Sequence, residues 1–179
     1  MIIHIAGSTG SGKSYIGNIF SEKINVIDLD DWTEQFSKLL GTKTKSKFIK
    51  FIDKQISKLN DKEINLLVGY LDYYVDNELI MYELETKYKF FIKIPIKQLS
   101  IQYNTRLLNW ITKNKNIVND MIKKYQNIYH YQFKSIEEIK SMYDNDVINY
   151  VKKYKYKFLT QKQIITIINK LINNFLQSV

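Results

Sequence analysis

The hydrophobic positions of the chain form short continuous runs that alternate with longer stretches of helical spacing. Short apolar runs of this kind are typical of strands buried in a parallel sheet, and we predict strands at 1–6, 24–27, 64–69, 88–94 and 156–159. Helical spacing predicts helices at 15–20, 31–41, 46–59, 73–84, from 99 to about 150, and from 160 onward. Strands that alternate with helices predict an α/β fold, in which helices cover both faces of a parallel sheet.

The stretch 31–60 is predicted to form two amphipathic helices. Asp31, followed by Glu34 three residues later, is the signal of a helix start with Asp31 as N-cap, and Gly41 is a residue type that ends a helix. Four aromatic side chains of this stretch are suited to stacking on a base or to filling a core: Trp32, Phe36, Phe48 and Phe51. We favour the core for all four.

The charge of the chain raises the question of a nucleic-acid partner. A net charge of +9 and an isoelectric point of about 9.4 admit one. However, the lysines are spread along the chain rather than grouped in blocks, and the dominant residues, Lys, Asn, Ile and Tyr, all have A/T-rich codons. We therefore attribute the lysine surplus to genome composition and do not favour a nucleic-acid partner.

Two absences narrow the setting in which the protein works. The chain has no cysteine, which excludes disulfides and thiolate metal sites and fits a reducing compartment. No segment is long and apolar enough to span a bilayer, and the first strand leads straight into a glycine-rich loop, with no room for a signal peptide. We expect a soluble cytoplasmic protein without a membrane partner, and its oligomeric state stays open.

The strongest chemical signal follows the first strand directly. The pattern G-x-x-x-x-G-K-[ST] of the phosphate-binding loop is matched by Gly7, Ser8, Thr9, Gly10, Ser11, Gly12, Lys13 and Ser14. The glycines let the backbone approach a polyphosphate, and the N–H groups that open the next helix attract anions. We expect Lys13 to reach the β- and γ-phosphates and the Ser14 hydroxyl to ligate Mg²⁺. The loop therefore predicts a site for a nucleotide, with ATP and Mg²⁺ as ligands.

Two carboxylates follow the second predicted strand. Asp28 and Asp30 are one residue apart, so strand alternation points both side chains to one side, at the edge of the sheet that carries the phosphate loop. We predict that Asp28 ligates Mg²⁺ and that Asp30 accepts the proton of the attacking hydroxyl. The alternative is that these aspartates cap the next helix and remain in solvent.

The order of these features resembles the small-molecule P-loop kinases, a group that includes nucleoside and nucleotide kinases, uridine kinase and shikimate kinase. The resemblance covers most of the chain, although only the loop is specific. It implies one P-loop kinase-like domain over 1–179, with a five-stranded parallel sheet in three α/β/α layers. It also implies substrate-binding helices at about 31–60 and a helical lid at about 97–130. Arg106, the only arginine, lies where these kinases keep lid arginines, and a planar guanidinium suits a phosphate clamp.

The chain also departs from the pattern of this group. Its third strand ends in Val-Gly at 68–69 rather than in Glu-Gly, so the usual acidic Walker B group is missing there, and Asp72 or Asp28 is the candidate substitute. The substrate arginines of shikimate kinases are absent, and no Asn-Lys-x-Asp motif indicates a GTPase. His4, within the first strand, and His130 are poor candidates for catalysis.

From these observations we expect ATP- and Mg²⁺-dependent phosphoryl transfer to a nucleoside or a nucleotide, with Lys13, Asp30 and Arg106 as catalytic residues. A polynucleotide 5′-hydroxyl kinase is the alternative enzyme, which the basic charge and the two aspartates favour. A non-catalytic ATP-binding regulatory protein is the alternative from another class, which the missing Walker B acid favours.

Overall fold

The computed structural model describes residues 1–8, 10–75, 78–113 and 134–177. Within these ranges the strands are β1 (Ile2–Ala6), β2 (Asn25–Asp28), β3 (Asn65–Val68), β4 (Asp72–Val75), β5 (Glu78–Met81), β6 (Tyr88–Ile92) and β7 (Lys157–Leu159). The helices are α1 (Lys13–Phe20), α2 (Leu29–Lys38), α3 (Lys45–Ile56), α4 (Ile96–Lys113), α5 (Ile136–Met142), α6 (Ile148–Lys153) and α7 (Gln161–Leu176). A π-helical turn, Tyr143–Val147, joins α5 to α6.

A five-stranded parallel sheet in the order β2-β3-β1-β6-β7 forms the centre of the fold. In the middle strand, Ile5 is aligned with Val68 of β3 on one side and with Phe90 of β6 on the other. Because the strands are parallel, their carboxyl ends lie at one edge of the sheet. The five strands predicted from the hydrophobic runs are confirmed, each with bounds shifted by at most two residues.

The two faces of the sheet pack against different side chains. On one face, α1 and α7 contribute to a cluster that we call the aliphatic face: Ile3, Ile5, Ile16, Phe20, Ile64, Leu66, Val68, Phe90, Ile92, Ile164, Ile168 and Ile172. On the opposite face, α6 contributes to a cluster that we call the aromatic face: Ala6, Tyr70, Phe91, Val147, Tyr150, Val151, Tyr154, Tyr156 and Phe158. Helices thus cover both faces, as the alternation of strands and helices predicts.

A third cluster confirms the core role of the aromatic residues between 31 and 60. Trp32, Phe36 and Phe48 are buried against the sheet residue Leu67, and Phe51 packs at their margin. The ring centroids of Phe36 and Phe48 are 5.3 Å apart in an edge-to-face arrangement, which is one of the geometries that aromatic pairs prefer. These side chains pack α2 and α3 against the sheet and form part of its core.

The segment 73–84 is not a helix, and its prediction as one is wrong. Its residues form an antiparallel hairpin, in which Val75 of β4 pairs with Glu78 of β5. Tyr73-Tyr74-Val75 and Leu79-Ile80-Met81 are rich in residues that favour strands, and their pairing outweighs the helical spacing of the apolar positions. Ile80 and Leu84 are buried, as the apolar spacing predicts, but that spacing does not distinguish a helix from a hairpin here.

The remaining differences concern the ends of helices. α2 ends at Lys38, and Gly41, with a φ of +88°, lies beyond that end rather than at it. Of the expected lid at 97–130, α4 is described, whereas 114–130, with His130, lies outside the described residues. Among the described helices, none has the length and apolar character needed to cross a membrane.

Candidate phosphate-binding site

The loop of residues 7–14 connects β1 to α1 at the carboxyl edge of the sheet. Gly10 and Gly12 have φ values of +80° and +89°, which other residues rarely adopt. A Cβ atom on Gly12 would overlap the side-chain amide of Gln161, whose Nε2 donates a hydrogen bond of 2.6 Å to the Ser11 carbonyl oxygen. The loop therefore requires glycine at both positions. Thr9, also predicted to bind the nucleotide, lies outside the described residues.

Lys13 folds back over its own loop. Its Nζ donates hydrogen bonds to the carbonyl oxygens of Gly7 (2.7 Å) and Ser8 (3.3 Å) and lies 5.7 Å from the ring centroid of Tyr70. Burial lowers the pKa of Lys13, and the charge of Asp30 partly restores it. In this arrangement the hydrogen bonds of the Lys13 ammonium go to backbone carbonyl oxygens of its own loop.

The loop and the start of α1 offer polar groups that have no protein partner. The hydroxyl oxygens of Ser8 and Ser11 are buried and accept or donate no hydrogen bond among the described residues. The N-cap of α1 is Gly12, which has no side chain to cap the helix, so its first N–H groups are open to an anion. Ser14 lies in this first turn and is exposed. An anion with several oxygens fits this donor set.

Asp28 and Asp30 are close together, but not for the reason that strand alternation predicts. β2 ends at Asp28, which is the N-cap of α2, and its Oδ1 accepts a hydrogen bond of 3.0 Å from the Asp30 backbone N–H. Asp30 therefore lies in the first turn of a helix, and the strand-alternation argument is wrong. The prediction of Asp31 as N-cap is wrong too, because the helix begins at Leu29.

Asp30 lies at the carboxyl end of β3. Its Oδ1 is 3.5 Å from the position that a Cβ atom on Gly69 would take. Burial raises the pKa of Asp30, and the charge of Asp28 raises it further, whereas Lys13 and Arg106 oppose the shift. The charges of Lys13 and Arg106 therefore act on Asp30, but the net effect of its surroundings is a pKa above that of a free aspartate.

Arg106 and Asp72 complete the charged groups of the site. Arg106 is exposed on α4, and its charge lowers the pKa values of both Lys13 and Asp30. Asp72, the first residue of β4, is partly buried, and its pKa is raised by burial and by the charge of Asp30. The predicted residues Lys13, Asp28, Asp30 and Arg106 are thus brought to one edge of the sheet, with Asp72 beside them. Among the described residues, no three His, Cys, Asp or Glu side chains converge on a metal position.

A chain of hydrogen bonds beneath this edge was not predicted. The Tyr150 hydroxyl donates to that of Tyr156 (3.2 Å), Tyr156 lies 2.8 Å from His4 Nδ1, and His4 Nε2 lies 3.0 Å from the Gly69 carbonyl oxygen. Since that carbonyl only accepts, Nε2 carries the proton and Nδ1 accepts from Tyr156. Burial lowers the pKa of His4 to about 4, so His4 is neutral. Its only sequence signal was a polar residue within an apolar run.

This hydrogen-bond chain reaches the site through Gly69 and through an aromatic contact. Gly69 adjoins Tyr70, whose ring lies 5.4 Å from that of Tyr150 and faces the Lys13 ammonium. Through its Nε2–H, His4 donates a hydrogen bond to the backbone carbonyl of Gly69, the residue next to which Asp30 lies. Comparison with protein-family models and with curated proteins found no match to this chain.

Proposed function

We propose that this protein is an ATP- and Mg²⁺-dependent kinase that transfers the γ-phosphoryl group to a small molecule, a nucleoside or a nucleotide, on a P-loop kinase-like fold. The observation that carries the proposal is the position of Lys13 on a glycine-dependent loop, near enough to Asp30 and Arg106 for both charges to act on its pKa. A phosphate loop beside a carboxylate and a second cation suits phosphoryl transfer better than phosphate storage. Because the donor is ATP, the proposal keeps the cytoplasm as its setting.

The phosphates of the donor are assigned to the loop and to the first turn of α1. Backbone N–H groups and the helix dipole attract the phosphate oxygens, and the Lys13 ammonium leaves the Gly7 and Ser8 carbonyls to bind them. The residues present also fit a magnesium ion. Ser14 would hold it with Asp28, whose Oδ1 serves the cap of α2 while its second oxygen stays available. Magnesium needs only one or two protein carboxylates beside phosphate oxygens, and it supplies charge neutralisation there.

The acceptor is assigned to the side of the loop that carries Asp30. As the acceptor oxygen bonds to phosphorus and the bond to the β-phosphate oxygen breaks, the hydroxyl proton passes to the Asp30 carboxylate. A raised pKa makes this carboxylate a better base. Lys13 and Arg106 balance the charge on the transferred group, and this charge stabilisation carries most of the acceleration. A phosphate acceptor needs no base.

Label transfer from γ-labelled ATP tests this proposal. The acceptors are three pools: nucleosides, nucleoside monophosphates and 5′-hydroxyl oligonucleotides, each offered with Mg²⁺. We expect label in the nucleoside or the monophosphate pool, its loss in Lys13→Ala, and its retention in Lys23→Ala, which removes a lysine beyond the end of α1. ATP binding without label in any pool would overturn the kinase proposal and favour a non-catalytic ATP-binding protein.

A polynucleotide 5′-hydroxyl kinase is a second candidate, which a basic groove favours. Lysines scattered in the sequence recur on one side of α3 and the loop before it, where they line a groove of about 460 Å³: Lys43, Lys47, Lys50, Lys54 and Lys58. The groove also contains Leu40, which is fully exposed, and it lies between α3 and the end of α2, the helix that begins beside Asp30. A row of lysines leading away from a phosphoryl acceptor site suits a polynucleotide backbone.

Salt dependence of oligonucleotide binding tests this second candidate. For a single strand, the slope of log affinity against log salt changes by about 0.7 for each phosphate that a lysine neutralises, so Lys50→Ala/Lys54→Ala should make the slope shallower by about 1.4. Lys23→Ala/Lys170→Ala changes the net charge equally and leaves the groove intact. Equal slopes for the two double variants would assign the binding to net charge and remove the groove from consideration.

A further inference from the structure

A cavity of about 180 Å³ lies beside the phosphate loop, between α4 and the helices that follow it. Ser8 of the loop forms part of its wall, and Leu99 and Tyr103 of α4 form another part. Sites for whole drug-sized ligands usually measure roughly 300–1,000 Å³, so this cavity has room for one ring system of a ligand and not for a complete nucleotide.

The π-helical turn shapes this cavity. Three of its five residues, Tyr143, Asp146 and Val147, line the cavity, and the turn interrupts an otherwise continuous helical segment from Ile136 to Lys153. Single π-turns inside α-helices occur frequently at functional sites. The wall of this cavity therefore contains a local structure that is typical of such sites.

The wall chemistry is that of a site for a flat, polar-edged ring. Most of the lining is apolar, and the rings of Tyr103 and Tyr143 offer surfaces for stacking. The polar exceptions are Ser8, Lys134 and Asp146, which together supply donors and acceptors. The Ser8 hydroxyl oxygen is buried and has no partner among the described residues. A few polar groups in an apolar wall are typical of small-molecule sites.

We propose that this cavity binds the aromatic ring of a substrate whose phosphate or hydroxyl end lies on the phosphate loop, and that this ring is a nucleobase. The inference rests on the proposed function, because Ser8 belongs both to the loop and to the cavity wall. A ligand that reaches from the loop into the cavity must carry a phosphate or hydroxyl group at one end and a stacking ring at the other. Nucleosides and nucleotides have this form. The ring belongs either to the donor or to the acceptor.

Binding measurements with and without a ring test the inference. Mg·ATP, Mg·tripolyphosphate, adenosine and thymidine are titrated calorimetrically into the wild type, Val147→Phe and Tyr103→Leu. Val147→Phe fills the cavity, and Tyr103→Leu removes one stacking surface while keeping an apolar wall. Ile148→Phe is the matched control, since Ile148 neighbours Val147 and packs in the adjoining core but does not line the cavity.

We expect Val147→Phe to weaken binding of ATP, or of a nucleoside, at least tenfold, and to leave tripolyphosphate within twofold of the wild type. A loss of affinity for ATP assigns the cavity to the donor. A loss of affinity for a nucleoside alone assigns it to the acceptor. Tyr103→Leu should produce a smaller loss of affinity for the same ligand. If Val147→Phe shows no cooperative thermal transition, the affinity of Tyr103→Leu alone tests the inference. Ile148→Phe should bind as the wild type does.

Two results would overturn the inference, and they are distinct. If ATP and nucleosides bind the cavity variants as they bind the wild type, or bind the wild type no better than tripolyphosphate does, the cavity is no ring site, while the phosphate loop stands. If the wild type binds neither tripolyphosphate nor ATP, the proposed function fails and the ring site fails with it.

Discussion

Along β1, Ile3 and Ile5 pack into the aliphatic face of the sheet, whereas His4 and Ala6 lie on the aromatic face. The aliphatic face is formed mainly by isoleucines from β1, α1 and α7. The aromatic face contains four tyrosines, and two of their hydroxyls join His4 and Gly69 in one hydrogen-bond chain. Alternate residues of one strand therefore belong to two kinds of core.

The two faces contribute differently to the protein: aliphatic packing contributes stability, and buried hydrogen bonds fix the orientation of side chains. Aliphatic packing is strong and tolerant of small rotations, because dispersion and burial have little directional preference. Hydrogen bonds between buried polar groups are directional, and they are costly when one partner is removed. The aromatic face lies below the edge that carries Tyr70 and Gly69, so the hydrogen bonds of this face support the candidate site. The aliphatic face supports the sheet.

The largest effect on stability should come from the aliphatic face. Ile164 on α7 is fully buried there, and Ile164→Ala should lower the free energy of unfolding by about 3–4 kcal/mol through reduced burial and the cavity left behind. Urea titration measures this loss. The neighbouring Ile165→Ala, at a partly buried position, should lose less. Equal losses for the two variants, or a lowered affinity for tripolyphosphate in Ile164→Ala, would contradict the separation of the two faces.

The pH dependence of stability should come from the aromatic face. Folding lowers the pKa of His4 from 6.5 to about 4, so between these pH values the unfolded chain is protonated at His4 and the folded chain is not. The contribution of His4 is complete above pH 6.5 and is lost as the pH falls towards 4, by about 2–3 kcal/mol between pH 7.5 and 4.5.

Urea titrations at several pH values, on the wild type and on His4→Gln, isolate this contribution. Glutamine stays neutral, so the variant should lack the part of the pH dependence between 6.5 and 4.5 that the wild type shows. Parallel curves for the two proteins would mean that His4 accepts a proton in the fold.

Asp30→Asn should act on turnover and not on stability. We expect turnover with a hydroxyl acceptor to fall about 100-fold, as for the loss of a general base. The free energy of unfolding should not fall, because the fold raises the pKa of Asp30 and so disfavours its charge. Asp31→Asn, one residue along the same helix, is the control and should keep full activity. Full activity in Asp30→Asn, or an equal loss in Asp31→Asn, would remove Asp30 from the mechanism.

The smallest effect should come from the outer end of the hydrogen-bond chain. Tyr150→Phe removes one donor to Tyr156 and should cost about 1 kcal/mol in the free energy of unfolding. Tyr154→Phe removes a hydroxyl whose closest partner is the Met81 sulfur at 3.9 Å, and it should cost less. Thermal or urea unfolding compares the two. If Tyr154→Phe lowers the free energy of unfolding as much as Tyr150→Phe does, the hydroxyls act through packing. The aromatic face would then not depend on directional hydrogen bonds.

The features that local rules determine were predictable from the sequence. The strands, the positive φ values of Gly10 and Gly12 and the start of α7 depend on neighbouring residues, and Thr160 caps α7 with Gln163 in a local capping box. The hairpin at 72–81 depends on pairing between two segments, so the helical spacing of its apolar residues was misleading. Asp30 reached the site although its strand argument failed, because a helix began one residue after Asp28.

Two groupings of residues were not predicted. His4 and Tyr156 are separated by 152 positions, and no local pattern relates them. The groove lysines are also separated in the sequence, yet from Lys43 to Lys58 they recur three or four residues apart, which is the spacing of one helix face. That helical spacing is a signal in the sequence, although the five lysines do not form a continuous block of charge.

The tautomer of His4 makes the site observable by spectroscopy. The chain has two histidines, and a buried ring protonated only at Nε2 gives nitrogen resonances that stay constant over the pH range in which an exposed imidazole titrates. Loss of this constant resonance in His4→Gln would assign it to His4. Its Nε2–H is bonded to the carbonyl of Gly69, beside Asp30, so we expect the shift of that one proton to change if a ligand binds next to Asp30.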